Sequence, residues 1–402
     1  MNFDLVIAGA GPAGLSAACA AAKTGVRVAV IEKSKEIGYP IHTSGGSWID
    51  ELRKLHVPEA FMHPIREGVF ISPNRKVTFK YVEPPSCILD VRGLYQYLAE
   101  LASAAGAEIF VNTTVLNPVF EEDRIAGLQA RRLGHTLRVQ APLVIDATGC
   151  AGMIARRLGL SKGFRRLGVG AEYDLFAPHW PEDRVAFLFG SLYAPSGYGW
   201  VFPHGHQRVR LGVGVIHPDT SEDPQMLLEK ILSKADIFNG ALSKVSRIEY
   251  HRGIIPSETF LQRTVSDGVM VVGDAGGLVS TLLGEGIRFA IDIGRMAGGV
   301  AAEAISRKRF DEDFLRKFER VWKKKYKQVF KAGEYINHRI ARYRDEQWDH
   351  RLETLSKLPP ELLPVILKGE FTRKNVMKIL RANPVFLRKA ALSAFKSKIK
   401  FT

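Results

Sequence analysis

The chain has 402 residues, is 46% hydrophobic and 25% charged, and carries a formal net charge of +15. These values are typical of a soluble globular protein with two or three structural units and exclude a fibrous or disordered chain. No apolar run reaches the roughly 20 residues of a membrane-spanning helix. The three scattered cysteines argue against a disulfide framework, an iron–sulfur cluster and a bound metal. The N-terminus shows no signal-peptide pattern, so we expect a cytoplasmic protein.

The first elements in chain order are those of a βαβ unit. Residues 5–8 and 26–31 are apolar runs that predict buried strands, and residues 15–22 predict a helix of small residues between them. A turn of sequence GAGPAG at residues 9–14 connects the first strand to the helix, and Glu32 ends the second strand. Strand, glycine turn, helix and terminal acid together predict a dinucleotide site.

The residues of this turn have separate expected roles. Gly9 permits a tight turn, Gly11 lets the backbone approach a pyrophosphate, and Gly14 lets the helix pack close to the strand. The helix N-terminus, with its free N–H groups and positive dipole end, faces the phosphates. The carboxylate of Glu32 accepts hydrogen bonds from the ribose hydroxyls.

Two later strands also end in an acid and a glycine. Residues 143–146 predict a buried strand that ends at Asp146, and Gly149 follows it closely. Residues 268–272 predict another buried strand, which is followed by Asp274, an acid that can bind the hydroxyls of a ribityl chain. Taken singly, these features also fit an ordinary strand exit and a helix cap. In this order along one chain, the three pieces predict FAD.

A long helix is predicted from Ile287 to about Ser306. It begins directly after Gly284-Glu285-Gly286. The positive end of its dipole can support negative charge on a reduced flavin ring, so the third piece predicts where the reacting part of the cofactor lies.

We expect a mixed α/β and α+β fold with three units. A nucleotide domain built from three distant pieces must be discontinuous, and the alternating runs between them predict an antiparallel sheet that walls a substrate cavity. The units are a Rossmann-type FAD-binding domain of residues 1–65, 83–163 and 256–309, an antiparallel-sheet substrate domain of residues 66–82 and 164–255, and a basic helical C-terminal region of residues 310–402.

The basic charge is concentrated late in the chain. Residues 316–331 carry eight bases against a single acid, Glu319, and no acid follows Glu370. Bases and apolar residues alternate at near-helical spacing over the last thirty residues, which predicts peripheral contact with an anionic membrane. A solvated helical face is the alternative. We expect no nucleic-acid partner, because no recognised binding motif accompanies the charge.

The three flavin pieces together resemble the FAD-dependent oxidoreductases of the para-hydroxybenzoate hydroxylase fold. The resemblance implies that Asp274 contacts the ribityl-phosphate region and that Asp146 and Gly149 lie near the pyrophosphate. It also implies that Arg92 reaches the cofactor, for which a surface salt bridge is the alternative. The candidate cofactor-binding residues are Gly9, Gly11, Ala13, Gly14, Glu32, Lys33, Arg92, Asp146, Gly149, Asp274, Gly284, Gly286 and Ile287.

Within that fold, one stretch resembles a narrower family. Tyr198, Trp200 and Phe202 match the Tyr-x-Trp-x-Phe-Pro pattern of the geranylgeranyl reductases, flavoenzymes that saturate isolated C=C bonds in prenyl chains. Because alternate residues of a strand face one side, the three aromatic side chains can form one wall of a substrate site. A plain core-facing aromatic stripe is the alternative.

A loop near residue 43 departs from the family pattern. Many archaeal members carry a cysteine where this chain has Thr43, within the run His42-Thr43-Ser44-Gly45-Gly46. The loop still offers hydroxyls and an imidazole, and its glycines permit close backbone approach. The candidate catalytic residues are Tyr198, Thr43 and His42, and the candidate substrate-binding residues are Tyr198, Trp200, Phe202, Gly45 and Gly46.

The resemblance implies reduction of a C=C bond in an isoprenoid or other apolar small molecule. Reduced flavin would give a hydride to one carbon, and a positioned acid or water would give a proton to the other. The chain has one dinucleotide fingerprint, so the reductant is NAD(P)H visiting the flavin or another electron donor. Two alternatives stay open, a flavin-dependent monooxygenase or halogenase of the same fold and an electron-transfer flavoprotein dehydrogenase.

Overall fold

A computed structural model of the protein describes residues 1–122 and 124–382. The strands are β1 (Leu5–Ala8), β2 (Val28–Ile31), β3 (Gly46–Trp48), β4 (Met62–Ile65), β5 (Glu67–Ser72), β6 (Arg75–Lys80), β7 (Ser86–Leu89), β8 (Glu108–Phe110), β9 (Thr113–Glu121), β10 (Arg124–Arg132), β11 (His135–Gln140), β12 (Leu143–Asp146), β13 (Leu167–Phe176), β14 (Arg184–Gly190), β15 (Ala194–Pro203), β16 (Arg208–His217), β17 (Ser246–Pro256), β18 (Val265–Ser266) and β19 (Val269–Val271). The helices are α1 (Pro12–Ala22), α2 (Ile49–Lys54), α3 (Val91–Ala104), α4 (Met153–Arg157), α5 (Pro224–Ser233), α6 (Ile287–Arg307), α7 (Glu312–Ile340), α8 (Asp345–Ser356), α9 (Leu362–Leu367) and α10 (Arg373–Ala382).

A six-stranded sheet brings together the strands of the three flavin pieces, in the order β18-β19-β12-β1-β2-β8. All neighbours run parallel except the edge pair β18 and β19. The strands β1, β2 and β12 are buried along their whole length, as expected for a parallel sheet that is covered on both faces. One face packs against α1, α3 and α6, and the other packs against the β9–β11 meander.

Helices α1 and α6 cross at a contact between small residues. A Cβ atom on Gly294 would lie 2.3 Å from the carbonyl oxygen of Ala13, and one on Gly298 would lie 2.3 Å from that of Ala17. Residues four apart lie on one helix face, so the two glycines let the backbones touch along a turn of each helix. The contact fixes the first turn of α1 against α6.

A seven-stranded sheet, β17-β13-β16-β15-β14-β5-β6, forms the second layer. Its neighbours run antiparallel, as predicted, with one exception, since β5 and β14 run parallel. The alternate residues of β13, β15 and β16 that face α5 form a packed apolar core. The opposite face carries Trp200 and Phe202 and borders a cavity.

The helical C-terminal region begins with the 29-residue helix α7. Helices α8 and α9 then fold back over β5 and β6, where Leu352 and Leu363 pack on Phe70 and Phe79. Among the described residues, we find no helix that is both long and apolar enough to cross a bilayer. The predicted basic amphipathic end falls largely after residue 382, outside the described residues.

The predicted mixed fold, with a parallel nucleotide-type sheet, a second sheet and a helical C-terminal region, is confirmed. The three predicted domain boundaries stay a prediction. Helix α3 begins at Val91 because Asp90 caps it by accepting a hydrogen bond from the Gly93 N–H. Strand β17 runs from Ser246 to Pro256 and so includes His251.

Candidate active site

The carboxyl ends of the parallel strands lie in one row. Ala8 at the end of β1 is in register with Ile31 and with Asp146, and Asp146 is in register with Val271. Residues that follow these strands therefore emerge at the same edge of the sheet. This is the edge at which open α/β sheets bind ligands, and it collects all three predicted flavin pieces.

The glycines of the turn after β1 differ in their surroundings, because two of them are closely packed and one faces open space. Gly9 has a φ of +104°, and a Cβ there would lie 2.2 Å from the carbonyl oxygen of Ala147. A Cβ on Gly14 would lie 2.0 Å from the carbonyl oxygen of Gly9, whereas one on Gly11 would meet nothing within 4 Å. Gly11 also gives α1 no side-chain cap. The turn therefore leaves open space at an uncapped helix N-terminus, which fits a pyrophosphate.

Glu32 and Asp146 both accept hydrogen bonds on their two carboxylate oxygens, but Asp146 accepts more of them. Glu32 accepts hydrogen bonds from the Ala10 N–H and the Ser34 N–H, both at 2.8 Å. Fully buried Asp146 accepts from the Thr148 N–H and hydroxyl and, at 2.9 and 2.8 Å, from the N–H groups of Ile154 and Ala155 at the start of α4. Asp146 therefore organises the turn that contains Gly149, with both oxygens already bonded.

Asp274 lies at the N-terminus of α6. A Cβ on Gly286 would lie 3.5 Å from its Oδ1, and Gly286 gives α6 no side-chain cap. Desolvation at this half-buried position raises the pKa of Asp274 to about 6, and no cation or donor among the described residues offsets it. A half-buried acid without such a partner fits the hydroxyls of a sugar-alcohol chain. Gly284 and Ile287 border the cavity here.

Arg92 and Lys33 lie at the surface. The Arg92 guanidinium donates to Glu36, and its side chain is 54% exposed. Lys33 is exposed just after Glu32. The surface salt bridge is therefore formed in this structure, and a role for either residue at the cofactor stays a prediction.

The loop before β3 is held on both sides. Buried Arg210 donates from Nη1 to the carbonyl oxygens of Ser44 at 2.9 Å and Leu89 at 3.3 Å. His42 is exposed, and its Nδ1 lies 2.9 Å from the carbonyl oxygen of Arg252. The loop residues from His42 to Gly46, including Thr43, border the cavity. Arg210 therefore holds the backbone of the loop that brings Thr43, Gly45 and Gly46 to the cavity.

A buried charge at the start of α6 was missed by the sequence analysis. Glu285 accepts from Ser47 Oγ at 3.3 Å, Trp48 Nε1 at 3.2 Å and Arg288 Nε at 2.7 Å. A carboxylate and a guanidinium so buried are tolerated because they neutralise each other and are hydrogen-bonded. The network ties the loop at residues 47–48 to the N-terminus of α6.

The three aromatic residues of β15 share the face that borders the cavity, as predicted. The ring of Trp200 lies 5.6 Å from that of Tyr198 and 6.2 Å from that of Phe202. The Tyr198 hydroxyl donates to the carbonyl oxygen of Leu283 at 2.6 Å, so it reaches the segment that precedes α6. Burial, with the nearby Glu285 charge, raises the pKa of Tyr198 above its ordinary value and keeps its proton in place.

Trp200 also belongs to a row of residues that crosses four strands. Trp200 is in register with Gly212, Gly212 with Glu172, and Glu172 with His251. The indole lies over the position of Gly212, where a Cβ would approach its ring to 2.3 Å. Its Nε1 donates to Glu172 Oε2 at 2.7 Å.

Glu172 and His251 form a buried pair that sequence reasoning did not identify. His251 Nδ1 lies 3.1 Å from Glu172 Oε1, and both residues are 4% exposed. Burial opposes ionisation, but the bond from His251, the charge of Arg210 and bonds from Ser44 and Trp200 bring the pKa of Glu172 below its ordinary value. Burial likewise opposes protonation of His251, yet Glu172 and Glu249 raise its pKa.

One cavity of about 330 Å³ connects these parts. It runs from Gly284 and Gly286 past the aromatic wall to Trp348 and Leu363 of the C-terminal helices. Its size is in the range of small-molecule sites, and its lining is mostly apolar. The Trp348 ring stacks on Phe189 at 4.5 Å, so α8 covers this part of the cavity.

Comparison with known proteins identifies the family. The family described as FAD dependent oxidoreductase matches residues 4–160, and the geranylgeranyl reductase catalytic domain matches residues 169–254. The chain is 32% identical to the digeranylgeranylglycerophospholipid reductase 2 of Methanothermobacter thermautotrophicus, over 96% of this chain and 98% of that protein. The chain belongs to the geranylgeranyl reductase family of FAD-dependent oxidoreductases. A second member, the digeranylgeranylglycerophospholipid reductase of Methanocaldococcus jannaschii, is 30% identical over 96% of this chain and 97% of its own.

Solved structures agree with this fold. A geranylgeranyl bacteriochlorophyll reductase-like protein from Thermoplasma acidophilum superposes with a TM-score of 0.84 at 24% identity, over 94% of this chain and 96% of that one. A flavin-dependent brominase superposes with a TM-score of 0.71 at 17% identity, over 97% of this chain and 100% of that one. At these identities both likenesses show the fold alone.

The strand-end site of this geranylgeranyl reductase family member fits FAD. The open space at Gly11 suits the pyrophosphate and the position of Glu32 suits the ribose. Asp274, whose side chain has no partner among the described residues, suits the ribityl chain. The predicted FAD cofactor is confirmed by the family, whereas the individual contacts of the predicted residues stay predictions.

Proposed function

We propose that this protein reduces C=C bonds in the isoprenoid chains of a lipid with geranylgeranyl-type groups. The observation that carries the proposal is the single cavity that joins the flavin-site residues before α6 to an aromatic wall and an apolar end at Trp348. A long apolar chain fits such a space, because binding removes its surface from water. The relatives named digeranylgeranylglycerophospholipid reductases support the same class of substrate.

Each group of the site has a proposed task. Bound FAD, once reduced, supplies the hydride for one carbon of the double bond. Tyr198, Trp200 and Phe202 orient the alkene along the wall and keep bulk water away. Gly45 and Gly46 let the chain pass close to the loop backbone. Thr43, with its hydroxyl at the cavity, stands where a substrate-facing donor is needed, and His42 lies at the outer end of the same loop.

The reductant that we propose is NAD(P)H, acting as a visitor at the flavin, with another soluble electron donor as the alternative. The Gly9–Glu32 unit is the one dinucleotide fingerprint in the sequence, and its glycine turn suits the FAD pyrophosphate. A nicotinamide donor therefore has to reach the flavin ring through the substrate side. Stopped-flow reduction of the oxidised protein by NADH, NADPH and dithionite separates these donors.

A two-arm experiment tests the proposed reaction. The flavin is reduced anaerobically, and the protein is then mixed with a lipid that carries geranylgeranyl chains or with dissolved oxygen. Return of oxidised-flavin absorbance in the lipid arm, with a gain of two hydrogens per saturated bond, supports the proposal. A fast oxygen arm that yields an oxygenated or halogenated product, with an inert lipid arm, would favour the monooxygenase or halogenase alternative.

We propose further that α7 contacts an anionic membrane from which lipid is supplied. Four of the eight bases of residues 316–331 are paired with acids, namely Arg316, Lys317, Lys323 and Lys325. The other four, Arg320, Lys324, Lys327 and Lys331, are exposed and form no salt bridge within the described part of the chain. Their spacing of i, i+4, i+7 and i+11 puts them on one face of the helix. We call this set the α7 stripe, and a basic stripe suits anionic head groups.

A further inference from the structure

Reduction of an alkene in an apolar cavity requires a source of protons. A polarised C=C bond that accepts a hydride at one carbon needs a proton at the other, and apolar walls cannot supply it. Most of the cavity lining is apolar. A route that brings protons to the wall from outside is therefore part of what the reaction requires.

Glu172, His251 and Glu249 of the seven-stranded sheet reach from the cavity toward the surface. Glu172 and His251 both border the cavity. His251 Nδ1 faces Glu172 Oε1 at 3.1 Å, and His251 Nε2 lies 3.2 Å from Glu249 Oε2. The Glu249 side chain is 30% exposed, whereas that of His251 is 3% exposed. An imidazole between an inner and an outer carboxylate is an arrangement that can pass a proton from one to the other.

The inner carboxylate is held in position from two further sides. Trp200 Nε1 donates to Glu172 Oε2 at 2.7 Å, and this leaves Oε1 to His251. Ser44 borders the cavity and is one of the groups that lower the pKa of Glu172. Arg210, whose Nη1 bonds the Ser44 carbonyl at 2.9 Å, keeps this loop residue against the sheet.

We propose that the chain of groups from Glu249 through His251 to Glu172 is a proton relay that serves the cavity, with Ser44 as its inner end. This inference rests on the proposed function. The members pass protons and orient one another without donating a hydride, so they are positioning and relay residues. The part that would touch the substrate is the Ser44 hydroxyl, beside Thr43.

The chemistry balances for each bond reduced. The C=C π bond breaks and two C–H bonds form, one with a hydride that leaves the flavin oxidised by two electrons and one with a proton from the relay. The Ser44 hydroxyl gives its proton to the carbon, Glu172 returns a proton to the Ser44 oxygen, and charged His251 gives its Nδ1 proton to Glu172, so serine and carboxylate end as they began. The neutral ring recovers its charge when its remaining proton changes nitrogen and Nε2 takes up another proton from solvent through Glu249. A nicotinamide or another two-electron donor reduces the flavin again.

Four groups set the charge of His251. Glu172 faces it from β13, Glu249 from β17 itself, and Arg210 of β16 acts through Glu172. Exposed Tyr39 lies near Glu249 at the outer end, and the Glu249 charge raises the pKa of Tyr39. The two carboxylates favour the protonated ring, so the relay delivers protons while His251 is charged and stops as the pH rises through its pKa. Removal of Glu249 lowers that pKa and moves the loss of rate to lower pH.

The test combines steady-state reduction of the lipid with an NMR titration of His251 in the resting, oxidised holoprotein. With Glu172→Gln or His251→Asn we expect kcat to fall by about 100-fold, the size typical of a lost proton-transfer group, with little change in KM. Reoxidation of the flavin by ferricyanide, which needs no carbon protonation, keeps its wild-type rate. With Glu249→Gln, the NMR pKa of His251 and the basic limb of kcat shift together to lower pH.

His204→Asn is the matched control. His204 Nε2 lies 3.2 Å from Asp174 Oδ2, in another histidine–carboxylate pair beside the same sheet, and neither residue borders the cavity. This variant loses a similar pair, so it reports the effect of stability alone. We expect its pH profile to match that of the wild type.

The outcomes separate the relay from the proposed function. An inert wild-type protein in the lipid arm removes the proposed function, and an unshifted His251 titration in Glu249→Gln removes the relay. Wild-type kcat and pH profile in Glu172→Gln, or equal losses in His204→Asn and His251→Asn, would also overturn the relay. If Glu172→Gln does not fold, the relay is tested by Glu249→Gln, whose substituted residue is partly exposed, through the shift of the basic limb of its kcat–pH profile.

Discussion

The indole of Trp200 donates to the buried carboxylate of Glu172 at 2.7 Å, across a strand on which the intervening residue is Gly212. The glycine leaves room for the ring, because a Cβ there would lie 2.3 Å from it. This hydrogen bond connects the aromatic residues of β15 to the buried pair Glu172 and His251. Trp200, a residue of the family motif, therefore also holds a carboxylate that lies two strands away.

Gly212→Ala tests this relationship. The added methyl displaces the indole, so we expect a loss of about 1–3 kcal/mol in the free energy of unfolding, the range for overpacked cores. Urea unfolding and tryptophan fluorescence measure it. Gly170→Ala is the control, since a Cβ there meets its nearest neighbour at an ordinary 3.6 Å. Equal stability of the two variants would mean that the indole is not confined at Gly212.

Gly11→Ala should affect FAD binding without affecting the fold. A Cβ at Gly11 meets nothing within 4 Å of protein, yet it fills the proposed pyrophosphate space. We expect the FAD Kd to rise by about tenfold, or 1.4 kcal/mol, with nearly unchanged stability of the flavin-free protein. Gly299→Ala, in α6 with equally open space, is the control and keeps wild-type affinity. Unchanged flavin affinity in Gly11→Ala would contradict the proposed position of the phosphates.

Asp274→Asn should have opposite effects on the empty and the loaded protein. The folded-state pKa of Asp274 is raised to about 6 from an ordinary 3.8, so the folded flavin-free protein binds the proton more tightly than the unfolded chain does. Stability is therefore lost as pH rises through this window. The amide removes that penalty, and we expect a gain of about 1–3 kcal/mol above pH 6. FAD affinity falls, because a ribityl-binding carboxylate is lost. Thermal melts and flavin titrations measure both, and a variant that gains in both would refute the assigned role.

Trp348→Ala should weaken lipid binding more than it slows the chemistry. The ring stacks on Phe189 in the apolar part of the cavity and makes no hydrogen bond there within the described residues. We expect KM for a long-chain lipid to rise by about tenfold with kcat nearly unchanged, the pattern of lost uniform binding. Tyr335→Ala is the control, because this aromatic residue of α7 is 67% exposed and does not border the cavity. A fall in kcat without a change in KM would place the reacting bond at Trp348 instead.

The α7 stripe predicts salt-sensitive membrane binding. Replacement of Arg320, Lys324, Lys327 and Lys331 by glutamine should abolish cosedimentation with vesicles that contain anionic lipid, since each base near such a surface contributes about 1 kcal/mol. The matched control replaces the paired set Arg316, Lys317, Lys323 and Lys325, with the same change in charge count. Equal losses in both sets would show that net charge, rather than the stripe, drives binding.

The flavin half of the site could be predicted because its information is local. A buried strand, a glycine turn and an acid such as Glu32 stand within one short stretch, and parallel pairing then brings such stretches to one edge. The aromatic wall was predictable for the same reason, since Tyr198, Trp200 and Phe202 alternate along one strand.

The buried pair of Glu172 and His251 could not be predicted from local sequence. Glu172 and His251 are 79 residues apart, and only the register of β13 and β17 makes them neighbours. The packing of α8 on the second sheet could be predicted only in part. Trp348, Leu352 and Leu355 recur at helical spacing and indicate an apolar helix face, but the sequence does not say which surface that face covers.

The most direct test of the account is the mass of the lipid after anaerobic incubation with the holoprotein and a sustained reductant. The account predicts a series of products that are heavier by two hydrogens for each saturated bond, formed without oxygen and absent when the flavin is left oxidised. A lipid of unchanged mass beside a fully reduced flavin, or a product that forms only when oxygen is admitted, would contradict it.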